Sequence, residues 1–356
     1  TDMIRALSHE DYPALADLVG AVEVEAPTPT PGGLAHWIET MPRRGRFRGW
    51  VAEEHGRVVA AAWGYLEWSV SAEGAASLWT GVRPEARRRG IGSALFAAAE
   101  EHLLTSGARK LSAFALEHSD GERFLRARGF RRTRTSLVQR LDPSTADVSA
   151  LAALEEAKRG EGFALVPLGA VADRPRELHA LYAAASEAIP ADDPEDDIRF
   201  DEFVSHLLGD PELTSEGSYV VLADGRPAAL AFLLVNREAA AALNEMTGTL
   251  PDFRGRGLAR LAKLATVRWA RAQGIRELVT ENDYENEAMR ALNRSLGYRV
   301  THVRAWLSRS ADGEAGREAS LTAAGAPRLG YARGTSQVER AYAHARPSAA
   351  KIADPA

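Results

Sequence analysis

The sequence predicts an α+β chain of two tandem domains, each a mixed, mostly antiparallel sheet flanked by helices. Three observations carry this. Two stretches nearly coincide: Thr80-Gly81-Val82-Arg83-Pro84-Glu85-Ala86-Arg87-Arg88-Arg89-Gly90-Ile91-Gly92 and Thr247-Gly248-Thr249-Leu250-Pro251-Asp252-Phe253-Arg254-Gly255-Arg256-Gly257-Leu258-Ala259 both read T-G-x-x-P-[ED]-x-R-x-R-G-[IL]-[GA]. Further anchors recur in register: Gly107–Leu111 matches Gly274–Leu278 at the loops' own offset of 167, and Gly129-Phe130 matches Gly297-Tyr298 at 168. The expected elements also follow one order around both loops, as an internal repeat should. The boundaries read from the repeat are 3–143 for the first domain, 144–159 for a charged linker, 160–309 for the second domain and 310–356 for a flexible tail.

In the first domain Ile4–Leu7 reads as a short strand. Ser8 with Asp11 three residues on has the form of a capping box opening a helix through Tyr12, Leu15 and Leu18. A proline loop leads to a second helix over about Leu34–Met41. Trp50–Ala52 and Val58–Leu66 form a hairpin around His55-Gly56-Arg57, and Ala75–Val82 runs into the first glycine loop. Gly92–Leu104 is a helix stopped near Gly107, Leu111–Leu116 a strand, Ser119–Ala127 a helix, and Phe130–Leu141 one or two closing strands. The linker, Ser144–Gly162, has room for a short helix.

The second domain repeats the order. Phe163–Leu168 is a strand, Pro175–Ala188 and Phe200–Leu208 are helices, and Tyr219–Leu222 and Ala228–Val235 are strands around Asp224-Gly225-Arg226. Ala241–Leu250 enters the second loop, followed by a helix at Gly257–Gln273, a strand at Leu278–Glu281, a helix at Glu285–Ser295 and closing strands over Tyr298–Leu307. The tail from about Ala311 has few large apolar residues, so disorder is the default there, with a short helix conceivable at Gln337–His344.

Composition narrows the function classes. A length of 356 residues suits two domains of ~100–200 residues each. A net charge of −5 does not indicate a generic nucleic-acid binder. The absence of cysteine removes disulfides, thiolate metal sites and thiol nucleophiles, and no metal is expected. The first residues lack a signal-peptide pattern, and no apolar run approaches the ~20 residues of a membrane span. A cytoplasmic protein without membrane or nucleic-acid partners is the expectation.

The glycine loops carry the chemistry. Each places backbone N–H groups at a helix N-terminus with little side chain in the way, which makes an anion cradle suited to a pyrophosphate. A Walker loop would need G-x-x-x-x-G-K-[ST], which is absent. A Rossmann loop would need a further glycine or alanine where Leu95 stands in the first copy; in the second, Ala262 stands there but the middle glycine is Ala259; and the loop would follow the first strand of a parallel unit. A coenzyme A cradle requires less special pleading.

With R-x-x-G-x-[GA] after a strand and before a helix, both halves resemble the GNAT superfamily of N-acetyltransferases. The order β-α-α-β-β-β-α-β-α-β-β resembles that fold in each half. The whole chain is similar to the tandem GNAT proteins of actinobacteria, which include mycothiol synthase and acetyltransferases near antibiotic gene clusters. The resemblance implies acetyl-CoA, or another acyl-CoA, as cofactor and a small-molecule amine as acceptor. It implies a fourth strand splayed from the fifth, with pantetheine pairing at Val82, or at Thr249 and Leu250. It implies a pyrophosphate on the amides of Arg87, Arg88, Arg89, Gly90, Ile91 and Gly92, or of Arg254, Gly255, Arg256, Gly257, Leu258 and Ala259. The second half carries the family pattern T-x-N-x-x-x-N in Thr280-Glu281-Asn282-Asp283-Tyr284-Glu285-Asn286, so Asn282 and Asn286 are expected to bond pantetheine amides and hold the following helix. The first half has no asparagine there.

Acetyl transfer to an amine needs a base at the nitrogen, a polarised carbonyl and a proton for the leaving thiolate. Strand alternation places Leu243, Glu245, Thr247 and Thr249 on one face. The family's usual glutamate position is Leu243, so Glu245 is the candidate base. The matching face of the first half, Ala76, Leu78 and Thr80, has no acid, and the position of the family's tyrosine acid is Asn293 or Leu125. Chemistry is therefore expected in the second domain, in a monomer or homodimer. The rival function is a non-catalytic acyl-CoA-binding or sensing protein. Bland readings stand beside the sharp ones: Glu245 as a surface residue, the asparagines as helix caps, and Asp192–Asp197 as a solvated loop rather than an amine-attracting rim.

Overall fold

The computed structural model describes residues 4–193 and 195–311. The first half contributes strands β1 (Ile4–Ala6), β2 (Arg48–Glu54), β3 (Arg57–Leu66), β4 (Ala75–Val82), β5 (Lys110–Leu116) and β6 (Arg131–Leu141). Its helices are α1 (Tyr12–Val22), α2 (Pro31–Glu39), α3 (Ile91–Thr105) and α4 (Asp120–Arg126). The expected linker helix is present as α5 (Leu151–Gly160). The second half contributes β7 (Phe163–Pro167), β8 (Tyr219–Ala223), β9 (Arg226–Asn236), β10 (Ala241–Thr249), β11 (Glu277–Asp283) and β12 (Arg299–Ser310). Its helices are α6 (Pro175–Ser186), the short α7 (Phe200–Glu202) continuing as one wide turn over Phe203–Leu208, α8 (Leu258–Ala272) and α9 (Glu287–Ser295).

Local chemistry explains the starts and turns. The backbone N–H and hydroxyl of Ser8 both donate to Asp11 Oδ2 (2.8 and 3.0 Å), which fixes the entry to α1. Thr30 accepts from Gly33 N (2.9 Å) at the start of α2, and Ser119 accepts from Glu122 N (3.2 Å) at α4.

The twelve strands form one continuous sheet in the order β1-β2-β3-β4-β5-β12-β6-β11-β10-β9-β8-β7. Only β4–β5 and β10–β11 are parallel. The closing strands are exchanged between halves. β12 lies antiparallel to β5 (Ala305 opposite Ala115) and to β6 (Ala305 opposite Thr135), while β6 pairs with β11 (Thr280 opposite Gln139). Apolar burial follows the exchange. Ala305 and Leu307 of β12 pack with Leu111, Leu125 and Phe130 in the first half's core. Leu141 of β6 packs with Leu278, Leu296 and Tyr298 in the second half's core. Each closing region is one strand rather than two. The last runs three residues past the expected Leu307, to Ser310 opposite Lys110. The rest of the expected tail, including Gln337–His344, lies outside the described residues.

Helices α1 and α2 cover one face of the first half with Val51, Ala61, Trp63 and Trp79, and α3 covers the other with Ala52, Ala60 and Ala62. In the second half α6 and α8 take the same two roles. The acidic loop after α6 crosses to the first half: Asp193 pairs with Lys110 (2.6 Å), Asp196 accepts from Ser71 N (2.6 Å), and Asp192 accepts from Thr133 (2.5 Å). It is a tether, neither of the two roles weighed for it from sequence.

Because each half's sheet is completed by the other's last strand, neither half is expected to fold as a unit. A fragment ending at residue 143 lacks β12 and β11, leaving one edge of β5 and both edges of β6 unpaired. Expressed alone, each half is expected to lack a cooperative thermal transition by circular dichroism, and mixing the halves to restore one. An isolated half that melts cooperatively at the parent's temperature would contradict the exchange.

Candidate functional site

The two glycine loops adopt the same conformation. Gly90 (φ 83°) and Gly257 (φ 76°) cap α3 and α8 in the left-handed region, and two residues earlier Arg88 (φ 62°) and Gly255 (φ 75°) do the same. Alternation of this kind turns successive amides toward one concavity, an anion nest at a helix N-terminus. A Cβ on Gly90 or Gly255 would meet nothing within 4 Å, so the space over each cradle is open. The first motif arginine does not point there. Arg87 Nε donates to Val82 O (3.0 Å) and Arg254 Nε to Thr249 O (3.2 Å), locking the loop onto the end of its strand. Both strand carbonyls named for pantetheine pairing thus already accept a guanidinium. The N–H of Leu250 donates to Ala228 O (2.9 Å) and is committed to the sheet. Ile91 and Leu258 anchor the helix starts, 7% and 1% exposed. Helix α5 brings Lys158 beside the second cradle, its Cε 3.9 Å from a Cβ placed on Gly257.

The expected splay is present in both halves. β4 pairs with β5 only over Ala75–Ser77, and β10 with β11 only over Ala241–Leu243. The glycine that opens each motif allows a helix to lie across the parting strand. A Cβ on Gly248 would strike Ala185 of α6, and one on Gly81 would strike Trp79 and Val22 of α1.

The strands differ at one residue. β4 keeps register with β3 from Ala76 to Val82, whereas β10 skips Glu245 against β9, a bulge between Asn244 and Met246. This breaks the alternation expected over 243–249. Met246 packs with Leu178, Leu181 and Tyr182 on the α6 face. Thr247 turns to the other face, its hydroxyl donating to Asn244 Oδ1 (3.0 Å). Thr247 and Thr249 therefore do not share the face of Leu243, and Glu245 stands at the bulge itself. Its side chain reaches water, yet protein crowds it on most sides. Burial first, then the charges of Glu195, Asp210 and Glu281, push its carboxyl up to about 7. Glu195 itself lies against Ser69 and Tyr182, which hydrogen-bond to it.

The asparagines divide. Asn286 caps α9, its Oδ1 accepting from Met289 N (3.2 Å). Asn282 Oδ1 accepts from Asn293 Nδ2 (2.6 Å) and Gln139 Nε2 (3.3 Å), so its oxygen is spent on protein. Asn293 Oδ1 in turn accepts from Lys263 Nζ (2.6 Å), and both residues are fully buried. The first half has Phe96 in the place of Lys263 and Leu125 in that of Asn293, packed together.

The first half holds a cleft of about 880 Å3 running from its cradle between β4 and β5. Arg87, Arg88, Arg123 and Arg128 rim one end, and Glu23 and Glu25 line the other. Two side-chain oxygens in its lining, Thr80 Oγ1 and Glu25 Oε2, are buried without a hydrogen-bond partner. An open cradle, parted strands, cationic rim and orphaned polar atoms fit an acyl-CoA. Glu23 and Glu25 were not legible as site residues. They follow α1 with no motif, and only the fold carries them to the splay. Burial pushes Glu23 up to about 7; the charges of Glu25 and Glu281 add to this and Arg304 opposes it.

Lys263 provides a pH test. Burial lowers its pKa to about 7 from 10.5, so between those values the unfolded chain binds the extra proton and stability rises with pH. The slope is up to ~1.4 kcal/mol per pH unit, and the full cost is present below the lower value. Lys263→Met keeps the volume and is expected to remove this slope in urea titrations between those two pH values. Equal slopes for variant and parent would count against it.

Comparison with known proteins agrees with this geometry. The profile described as "Acetyltransferase (GNAT) family" matches residues 4–130, and that described as "Acetyltransferase (GNAT) domain" matches residues 150–280. No curated protein sequence matches the chain. Among solved structures, a tandem GNAT protein from the clavulanic acid biosynthesis pathway is 22% identical with a TM-score of 0.65, over 86% of this chain and 98% of that one. A GCN5-related N-acetyltransferase from Sphaerobacter thermophilus is 17% identical with a TM-score of 0.59, over 87% and 95%. A putative acetyltransferase from Pyrococcus horikoshii is 14% identical with a TM-score of 0.55, over 86% and 89%. Two matched profiles, two cradles and two splayed strands lead to one conclusion: the chain belongs to the GNAT acetyltransferase family, as a tandem of two such domains.

Proposed function

We propose that the protein is an acetyl-CoA-dependent N-acetyltransferase acting on a small-molecule amine, with Glu245 of the second half as the base. The observation that carries this is the bulge, which presents one carboxylate of near-neutral proton affinity where β10 leaves β11. Bound acetyl-CoA supplies an activated thioester. The amides of Arg254–Ala259 and Lys158 would hold its phosphates, and Asn282 would keep an N–H group for the pantetheine. Glu245, held near neutrality, takes the proton from the acceptor nitrogen without needing an alkaline medium. The acids around it, Glu195, Asp210 and Glu281, favour a cation in its vicinity. Among the described residues, no helix is long and apolar enough to cross a membrane.

For an acceptor acetylated in the second half, Glu245→Gln is expected to lower kcat by ~10²–10⁴-fold with acetyl-CoA affinity unchanged. The parent's kcat/KM should rise with pH through about 7, where Glu245 loses its proton, and the variant should lack that limb. An unchanged pH profile would remove Glu245 from the mechanism. Gly257→Glu, which puts a negative side chain into the cradle, is expected to delete one acetyl-CoA equivalent by calorimetry. Unchanged stoichiometry would remove the cradle assignment.

A further inference from the structure

A second cavity, of about 350 Å3, lies between the halves. Its walls are apolar and aromatic: Leu34, Trp37 and Trp63 from the first half, Leu234 and Leu243 from the second. Three carboxylates line it, Glu23, Asp210 and Glu212, and none of its lining residues is Lys or Arg. Burial is the first cause raising the proton affinity of all three. The volume suits a small organic molecule. Arg304, outside the lining, comes within 4.0 Å of Glu23, while Asp210 and Glu212 have no Lys or Arg in ion-pair reach; half-buried acids of this kind beside aromatic faces favour a cation attached to an apolar body.

Glu23 lines both this cavity and the first half's cleft. The partition between the two is a stacked tryptophan pair, with ring centroids 4.0 Å apart: Trp63 belongs to the cavity and Trp79 to the cleft. On the cleft side Glu25 is 3% exposed, with Oε2 unpartnered. From this geometry we infer that the cavity is an acceptor site for a primary amine on an apolar, aromatic-sized body. It delivers the nitrogen to Glu23 at the end of the first half's cleft, and so makes that half a second acetyl-transfer site.

The step balances. The amine nitrogen forms a bond to the acyl carbon of the thioester as the carbon–sulfur bond breaks. The bound ammonium first gives one proton to Glu23; the second proton, shed as the amide forms, goes to the departing sulfur, and Glu23 releases its own to water, so ammonium and thioester become amide, thiol and one released proton. Glu23 is suited to hold and release that proton near neutral pH. The transfer clause rests on the acyl-transfer reading above; the binding clause does not.

The test uses the full chain with 2-phenylethylamine as probe and 2-phenylethanol as its neutral counterpart. Binding is read without acetyl-CoA, by calorimetry and by the fluorescence of the tryptophans in the cavity wall. The amine is expected to bind ~10-fold or more tighter than the alcohol, and Glu23→Gln and Asp210→Asn each to weaken it by about as much, the usual effect of a charged hydrogen bond. Retained acetyl-CoA stoichiometry shows that the variants are folded. Equal binding of amine and alcohol, variants that bind the amine like the parent, or no binding at millimolar probe overturn the site. With acetyl-CoA added, Glu245→Gln protein is expected to keep forming the N-acetylated probe, and Glu23→Gln in that background to stop it. Probe that binds but is not acetylated in Glu245→Gln protein overturns the transfer clause. Turnover untouched by Glu245→Gln but abolished by Glu23→Gln overturns the role of Glu245 and leaves this inference standing.

Discussion

The exchange of β6 and β12 is the constraint on which the rest depends. Each parallel pair, β4–β5 and β10–β11, must part to admit a ligand, and a parting pair weakens its own sheet. The exchanged strands supply what the splay removes. β12 holds β5 along Lys110–Leu116, and β6 holds β11 along Leu278–Asp283, so the outer strand of each gap is fixed from its other side. Arg304 of β12 ties the arrangement together. Its guanidinium reaches Glu25 of the first half (3.0 Å) and Glu281 of β11 (2.7 Å) while lying over the Phe114 ring. Removing one member of such a buried group leaves an uncompensated charge, at a cost of ~3–5 kcal/mol.

Much of the fold was legible because its signals are local. The glycine loops, the hairpin turns and the helix caps are written in adjacent residues, and the duplication let each half check the other. The strand exchange was not legible. The sequence of β12 shows that Val303, Ala305 and Leu307 belong inside, but an apolar strand carries no address for its neighbour. Tertiary packing selects it, through residues such as Leu111 and Phe130 that lie far away in the chain.

The candidate sites divide on the same principle. Both cradles were readable because an anion nest needs glycine or a left-handed residue at fixed places. The face of Glu245 was derived from simple alternation, and the bulge at Glu245 broke that alternation. Asn286 was named for the right region but serves as a helix cap. Glu23 and Glu25 left no trace, since acids one and three residues past a helix look like any solvated loop. Their roles arise from where β4 and β5 open, which no spacing records.

The exchanged strands also bear on how the two copies have been kept since their duplication. In a chain of independent units, a copy that loses its chemistry is free to decay or be deleted. Here deletion of either copy would strip the survivor of a central strand and bare three edges at once. Selection on folding alone therefore preserves both, and each pocket is free to drift toward a new substrate under a scaffold that cannot be discarded.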